Sequence, residues 1–134
     1  MIRIATEEIV KLEVRGGYED KLPISNGASR PLLRPANGRN NSDFISACLH
    51  VVSAYGVAPV LTARIQMSWD NTTWEDVPGG IFQPVAGNER MRPKDEYIIQ
   101  CPIAGRFIRA FWEFAGHEVK FNFGITADFY ARTE

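Results

Sequence analysis

Between Arg106 and Tyr130 apolar residues fall at every second position on either side of a four-residue interruption, Ala115-Gly116-His117-Glu118. Ile108, Ala110, Trp112 and Phe114 precede it, and Val119, Phe121, Phe123 and Ile125 follow. A period of two belongs to strands with one face on a core and one face in water. The spacing predicts a hairpin with Phe114 opposite Val119, Trp112 opposite Phe121, Ala110 opposite Phe123 and Ile108 opposite Ile125. Glu113 would then stand beside Lys120, and Phe111 beside Asn122, on the outer face. A slip of one residue would set apolar against polar side chains along most of the ladder.

The rest of the chain repeats this pattern in shorter pieces. Leu61, Ala63, Ile65, Met67 and Trp69 alternate with Thr62, Arg64, Gln66 and Ser68, then meet Asp70-Asn71. Asn tolerates positive φ and Asp accepts backbone hydrogen bonds, so this pair is expected to turn the chain into a second strand near Thr73-Trp74. Alternation over Ile2–Val14 predicts a strand that stops at Gly16-Gly17, with a helix over Thr6–Leu12 as the weaker option. Phe44–Tyr55 is apolar on both faces, as in a central strand, and is expected to break at Gly56–Pro59. Pro78-Gly79-Gly80 should close the Trp hairpin. Ile81–Val85 reads as a short edge strand, since Pro84 cannot donate to a ladder. Ala86–Glu96 reads as a charged, solvated loop and Tyr97–Cys101 as one more strand.

Seven or eight strands with turn residues at most junctions make this an all-β chain, an antiparallel β-sandwich with jelly-roll-like topology preferred. Residues 1–134 fit one domain. Within it, residues 22–43 are expected to form an extended arm or a long loop. That segment holds three prolines, two glycines and Arg30, Arg34 and Arg39. It either lies across its own domain or becomes ordered against a neighbour.

Charge narrows the partners. Fifteen basic residues against sixteen acidic leave the chain near neutral, which argues against nucleic acid or an anionic membrane as its main target. No apolar run reaches the length of a membrane span, and the first residues lack the apolar stretch of a signal peptide. The expected setting is a cytosol, where Cys48 and Cys101 would be reduced, buried thiols.

Groups able to do chemistry are sparse. His50 and His117 have no second ligand at a metal spacing such as His-x-His, so neither a metal nor another cofactor is expected. No nucleophile elbow or phosphate-binding glycine loop is present. Asp70, Glu75 and Asp76 read as turn acids before they read as calcium ligands or a catalytic pair. Alternation puts Trp69 and Trp112 on core faces and leaves Trp74 undecided; exposed, they would form a stacking platform for sugar. Phe107, Arg109 and Phe111 form an outward strip, which together with Arg30, Arg34 and Arg39 gives the candidate interface.

The string Ile65–Val77, with Trp69, Asp70, Asn71 and Trp74, resembles a "Ser-x-Asp-Gly-x-Thr-Trp" hairpin of small β-sandwich proteins, followed by an "Arg-Phe-Ile-Arg-Ala" strand at Arg106–Ala110. It is similar to capsid decoration (cement) and other accessory proteins of tailed-phage virions. The match spans about Leu61–Tyr130, and Asn71 stands where the pattern has Gly. The resemblance implies a non-enzymatic structural protein, made in the host cytoplasm and carried in the virion. It further implies binding to the major capsid protein or another virion protein, as a homo-oligomer with a trimer favoured. The chain is also similar to galactose-binding-like sandwich domains, which implies a carbohydrate-binding module as the alternative. A cupin-like metalloenzyme ranks last for want of histidines.

Overall fold

A computed structural model describes residues 1–16, 27–38, 40–87 and 95–131. The strands are β1 (Ile2–Gly16), β2 (Gly27–Ala28), β3 (Leu32–Leu33), β4 (Ala36–Asn37) and β5 (Asn40–Asn41). Then come β6 (Phe44–Ser68), β7 (Glu75–Ile81), β8 (Val85–Ala86), β9 (Asp95–Pro102) and β10 (Phe107–Ala131). The two 25-residue strands, β6 and β10, pair antiparallel from Phe44↔Tyr130 to Ser68↔Phe107 and form the spine of the fold.

This ribbon folds over on itself in the middle. Its register shifts on both sides of His117, and four residues there take positive φ: Gly56 (122°), Ala58 (49°), Gly116 (111°) and Glu118 (51°). A Cβ on Gly116 would lie 2.6 Å from the Ala58 carbonyl oxygen, and one on Gly56 would lie 2.6 Å from that of His117. Glycine is therefore required where the two strands cross the fold.

On one side of the fold, residues 107–115 of β10 and 60–68 of β6 are flanked by β2 and β3 and by β7 and β8. On the other side, residues 120–131 and 44–55 are flanked by β1 and β9. The halves face each other across the core. The Trp112 and Phe123 rings meet edge to face at 5.5 Å, and Phe114 stacks on Phe121 at 5.9 Å. The result is a two-layer antiparallel jelly roll, with β10 and β6 central in both layers.

The alternation is right about faces and wrong about partners. Ile108, Ala110, Trp112, Val119, Phe121, Phe123 and Ile125 are all buried. Yet Phe114 lies opposite Leu61, Trp112 opposite Ala63 and Phe121 opposite Ala54. Residues 115–118 join two layers and do not turn a hairpin within one, and Glu113 pairs with Thr62, away from Lys120. The reason is that β6, of equal length, buries alternate residues in both its halves, Ile45, Ala47, Leu49 and Val51 and then Leu61, Ala63 and Ile65. It therefore satisfies both halves of β10 at once. Phe44–Tyr55 is covered on this one face and not on both as expected.

Other boundaries move for similar local reasons. The even positions of β1 do not all face inward, because register shifts after Arg3, Glu8 and Val10 change the facing side. Val10 is buried while Ile2, Leu12 and Val14 are exposed. The expected break at Gly56–Pro59 is the crossing of the fold, inside β6. Pro78-Gly79-Gly80 lies within β7, whose pairing with β6 shifts between Arg64 and Gln66. The edge strand expected over Ile81–Val85 is divided between the end of β7 and β8, with Phe82 buried and its N–H bonded to the Ala63 carbonyl at 3.0 Å.

Residues 22–26 and Arg39 lie outside the described residues, as does most of the Ala86–Glu96 loop. The described remainder of the 22–43 segment lies across its own domain. β2 and β3 extend the sheet at β10, Ser29 exchanges hydrogen bonds with Ala110, and β4 and β5 form a small hairpin. Cys48 and Cys101 are free thiols. Cys48 pairs with Ile98 and Cys101 with Ile45, so they sit three rungs apart, roughly 10 Å, too far for a disulfide.

Candidate functional site

The Asp70-Asn71 turn forms as its residue types dictate. Asn71 takes φ 61°, and the Asp70 carboxylate accepts hydrogen bonds from the N–H groups of Thr73 (2.8 Å) and Thr72 (2.9 Å) and from the Ser68 hydroxyl (3.0 Å). These donors, the Thr73 and Thr72 amides first, hold the Asp70 carboxyl at about 2 against an ordinary 3.8. The folded value is the lower one. The carboxylate's contribution to stability is therefore complete above about pH 4 and is lost as pH falls toward 2. A carboxyl-carbon NMR titration should place the Asp70 midpoint near 2, and Asp70→Asn should flatten the acid arm of the melting curve. A midpoint near 4 would show that the turn amides do not bind it.

Strand β6 ends at Ser68, one residue before alternation would stop. The Ser68 hydroxyl accepts from the Asn71 N–H at 2.9 Å and its carbonyl accepts from the Arg106 N–H at 2.8 Å. Trp69 is thereby turned out of the core and is 67% exposed, which corrects its expected placement. It borders a depression of about 410 Å³ with Leu33, Arg34, Asn41, Gly105 and Arg106. Arg34 is anchored there, donating to the carbonyls of Gly105 (2.7 Å) and Ser42 (2.6 Å). Arg30 is exposed.

The strip Phe107, Arg109 and Phe111 lies on the outer face as expected, half-buried, with Arg109 against Trp74 of the domain's own hairpin, Arg64 over the Phe111 ring and Arg106 over the Phe107 ring. The Arg109 guanidinium lies 4.2 Å from the Trp74 ring centroid and donates to Gln66 Oε1 at 2.8 Å. Gln66 donates to Asp76 at 3.0 Å, and Arg64 bonds Asp76 at 3.2 Å and Glu113 while lying over Phe111. Trp74 is thus a clamp for Arg109. Asp70 and Asp76 are taken up separately and do not converge on a cation.

At the folded end of the ribbon, Tyr55 and Val57 stand 64% and 65% exposed. Tyr55 lines a depression of about 540 Å³ with Val14, Gly56, Glu118 and Lys120. Val57 is beside it, sharing a second hollow with Ala54, Tyr55 and Gly56. This apolar group has no sequence signature of its own. It is assembled from β1, the β6 crossing and the β10 crossing, which come together only in the fold.

His117 is exposed at the same end. His50 is different. Its Nδ1 lies 3.9 Å from Cys48 Sγ and 3.5 Å from Glu96 Oε1, while its Nε2 is 3.1 Å from Thr126 Oγ1. Burial, and then the charge of Glu96, push the Cys48 thiol up. The readable signal was Cys48-x-His50, two residues on one face of a strand. Glu96 could be placed only by the β6–β9 register, His50↔Glu96.

No family model matches this chain, and no curated protein matches its sequence. Among solved structures it is similar to the CBM22-1–GH10 modules of Clostridium thermocellum endo-1,4-β-D-xylanase 10B complexed with xylohexaose. The identity is 8%, the TM-score 0.44, and the likeness covers 98% of this chain and 29% of that one. The chain thus spans under a third of that structure's length.

Proposed function

We propose that the protein is a non-enzymatic structural subunit of a tailed-phage virion, assembled as a closed homo-oligomer, a trimer in the first instance, and bound to the major capsid protein or another virion protein. The observation that supports it is the exposed apolar group at the folded end, Val14, Tyr55 and Val57. Such a group is stabilised when a neighbouring surface covers it, and copies of the same chain arranged about a symmetry axis supply that surface. The virion assignment rests on the resemblance of the Trp69–Trp74 hairpin to those of capsid decoration proteins. The near-neutral charge fits a protein partner better than a nucleic-acid one.

A second reading, a carbohydrate-binding module, is favoured by Trp69. An exposed indole beside two arginines and an asparagine offers a stacking plane with polar groups at its edge.

Light scattering at micromolar concentration, with co-sedimentation on capsid shells and a glycan array on the same preparation, tests both. The expected result is a single closed oligomer that sediments with shells, converted to a monomer by Tyr55→Asp with Val57→Asp. A monomer that ignores shells and retains a sugar, with retention abolished by Trp69→Ala, would overturn the virion reading in favour of the second.

A further inference from the structure

We propose that Cys48, His50 and Glu96 form a divalent transition-metal site, zinc by ligand preference, on the outer face of the sheet formed by β1, β10, β6 and β9. The three side chains come from neighbouring strands. Cys48 and His50 are two residues apart on β6, and Glu96 lies directly across from His50 on β9. One ligand atom from each lies within 4.8 Å of the others.

The distances are those of a metal polyhedron slightly open. Zinc bonds nitrogen and oxygen at about 2.0–2.1 Å and thiolate sulfur at about 2.3 Å, so tetrahedral ligand atoms stand roughly 3.3–3.7 Å apart. Here sulfur and nitrogen are 3.9 Å apart and nitrogen and carboxylate oxygen 3.5 Å. The Glu96 side chain is largely exposed and free to close the remaining gap.

The arrangement is not that of a nucleophile–base–acid relay. In such a relay the thiol meets one imidazole nitrogen and the carboxylate the other. Here both converge on Nδ1, around a single point. Nε2 is taken by the Thr126 hydroxyl at 3.1 Å. A hydrogen bond from Nε2–H to that oxygen leaves the Nδ1 lone pair facing the cysteine and the glutamate, the orientation a ligating histidine requires. A mixed sulfur, nitrogen and oxygen set with one open vertex suits zinc or cobalt and disfavours calcium or magnesium, which take oxygen.

Cobalt(II) reports the site directly. Titrated into the reduced full chain, it should produce a near-ultraviolet sulfur-to-cobalt absorption that saturates at one ion per chain and disappears when zinc is added. Cys48→Ser should abolish the band and Cys101→Ala should keep it. Glu96→Gln, and Thr126→Val acting through His50, should each weaken binding about 10- to 100-fold. Metal-free melting temperatures of the variants, matched to the parent, show that the fold is intact. A chain that gives no sulfur band at millimolar cobalt overturns the proposal. So does a band that survives Cys48→Ser.

Discussion

Trp112→Ala is expected to lower the free energy of unfolding by about 3–5 kcal/mol, measured by urea denaturation followed in the far ultraviolet. The indole is 8% exposed and meets Phe123 edge to face from the other layer. Arg15 lies over the ring at 5.4 Å, tied to the Phe123 carbonyl at 3.1 Å. Gly27 is its neighbour on β2, so close that a Cβ there would fall 2.8 Å from the ring. The space left by alanine is therefore bordered by a residue with no side chain to swing in, by a tethered arginine and by an aromatic fixed on the opposite sheet. A site that cannot collapse keeps its cavity. Trp69→Ala, at an exposed position, should stay within about 0.5 kcal/mol. A Trp112→Ala cost below about 1 kcal/mol would show that the indole does not bridge the layers.

Gly116→Ala is expected to cost about 3 kcal/mol by the same measurement. The residue has φ 111° and a Cβ would lie 2.6–2.7 Å from the carbonyl oxygens of Ala58 and Val57. Those are backbone atoms on the facing strand, so relief requires the fold of the ribbon itself to open. Ala58→Gly should act in the opposite direction, stabilising by up to about 1 kcal/mol, because Ala58 already bears a positive φ of 49° without glycine's freedom. Opposite signs at two residues facing each other across one crossing would identify backbone conformation as the cause. A neutral Gly116→Ala would show that the crossing can relax without it.

How far each feature could be read ahead depended on how local its cause was. The Asp70-Asn71 turn was legible because its donors are Thr72 and Thr73, two and three residues away. The core face of β10 was legible because alternation is a property of the strand alone. Its partner was not. Choosing β6 over a hairpin depends on two matched patterns far apart in the chain and on a pair of glycines that register only when they face each other. Trp69 was misplaced because Ser68 spends its hydroxyl on the turn and ends the strand early. The convergence of Cys48 and His50 with Glu96 was half visible, since two residues share a strand face while the third is set by long-range register. The candidate arginines divide in the same way: Arg34 is bound by its own domain through carbonyls that no pattern could assign to it.

The folded ribbon also sets the order in which this protein can be built. Its nearest pair, Ser68 and Phe107, is separated by all of residues 69–106, and every other rung encloses a longer loop. No part of the spine can therefore form as a local hairpin, and loop-closure entropy must be met before any rung stabilises the chain. During synthesis β6 is complete long before residues 107–131 have been made. For that interval a 25-residue strand with two apolar stretches, over residues 45–51 and 59–65, has no partner on its β10 edge, which is the form in which β chains pair with one another. Refolding should accordingly be slow for a domain of this size and sensitive to concentration, and β10, made after β6, is the strand that completes both sheets.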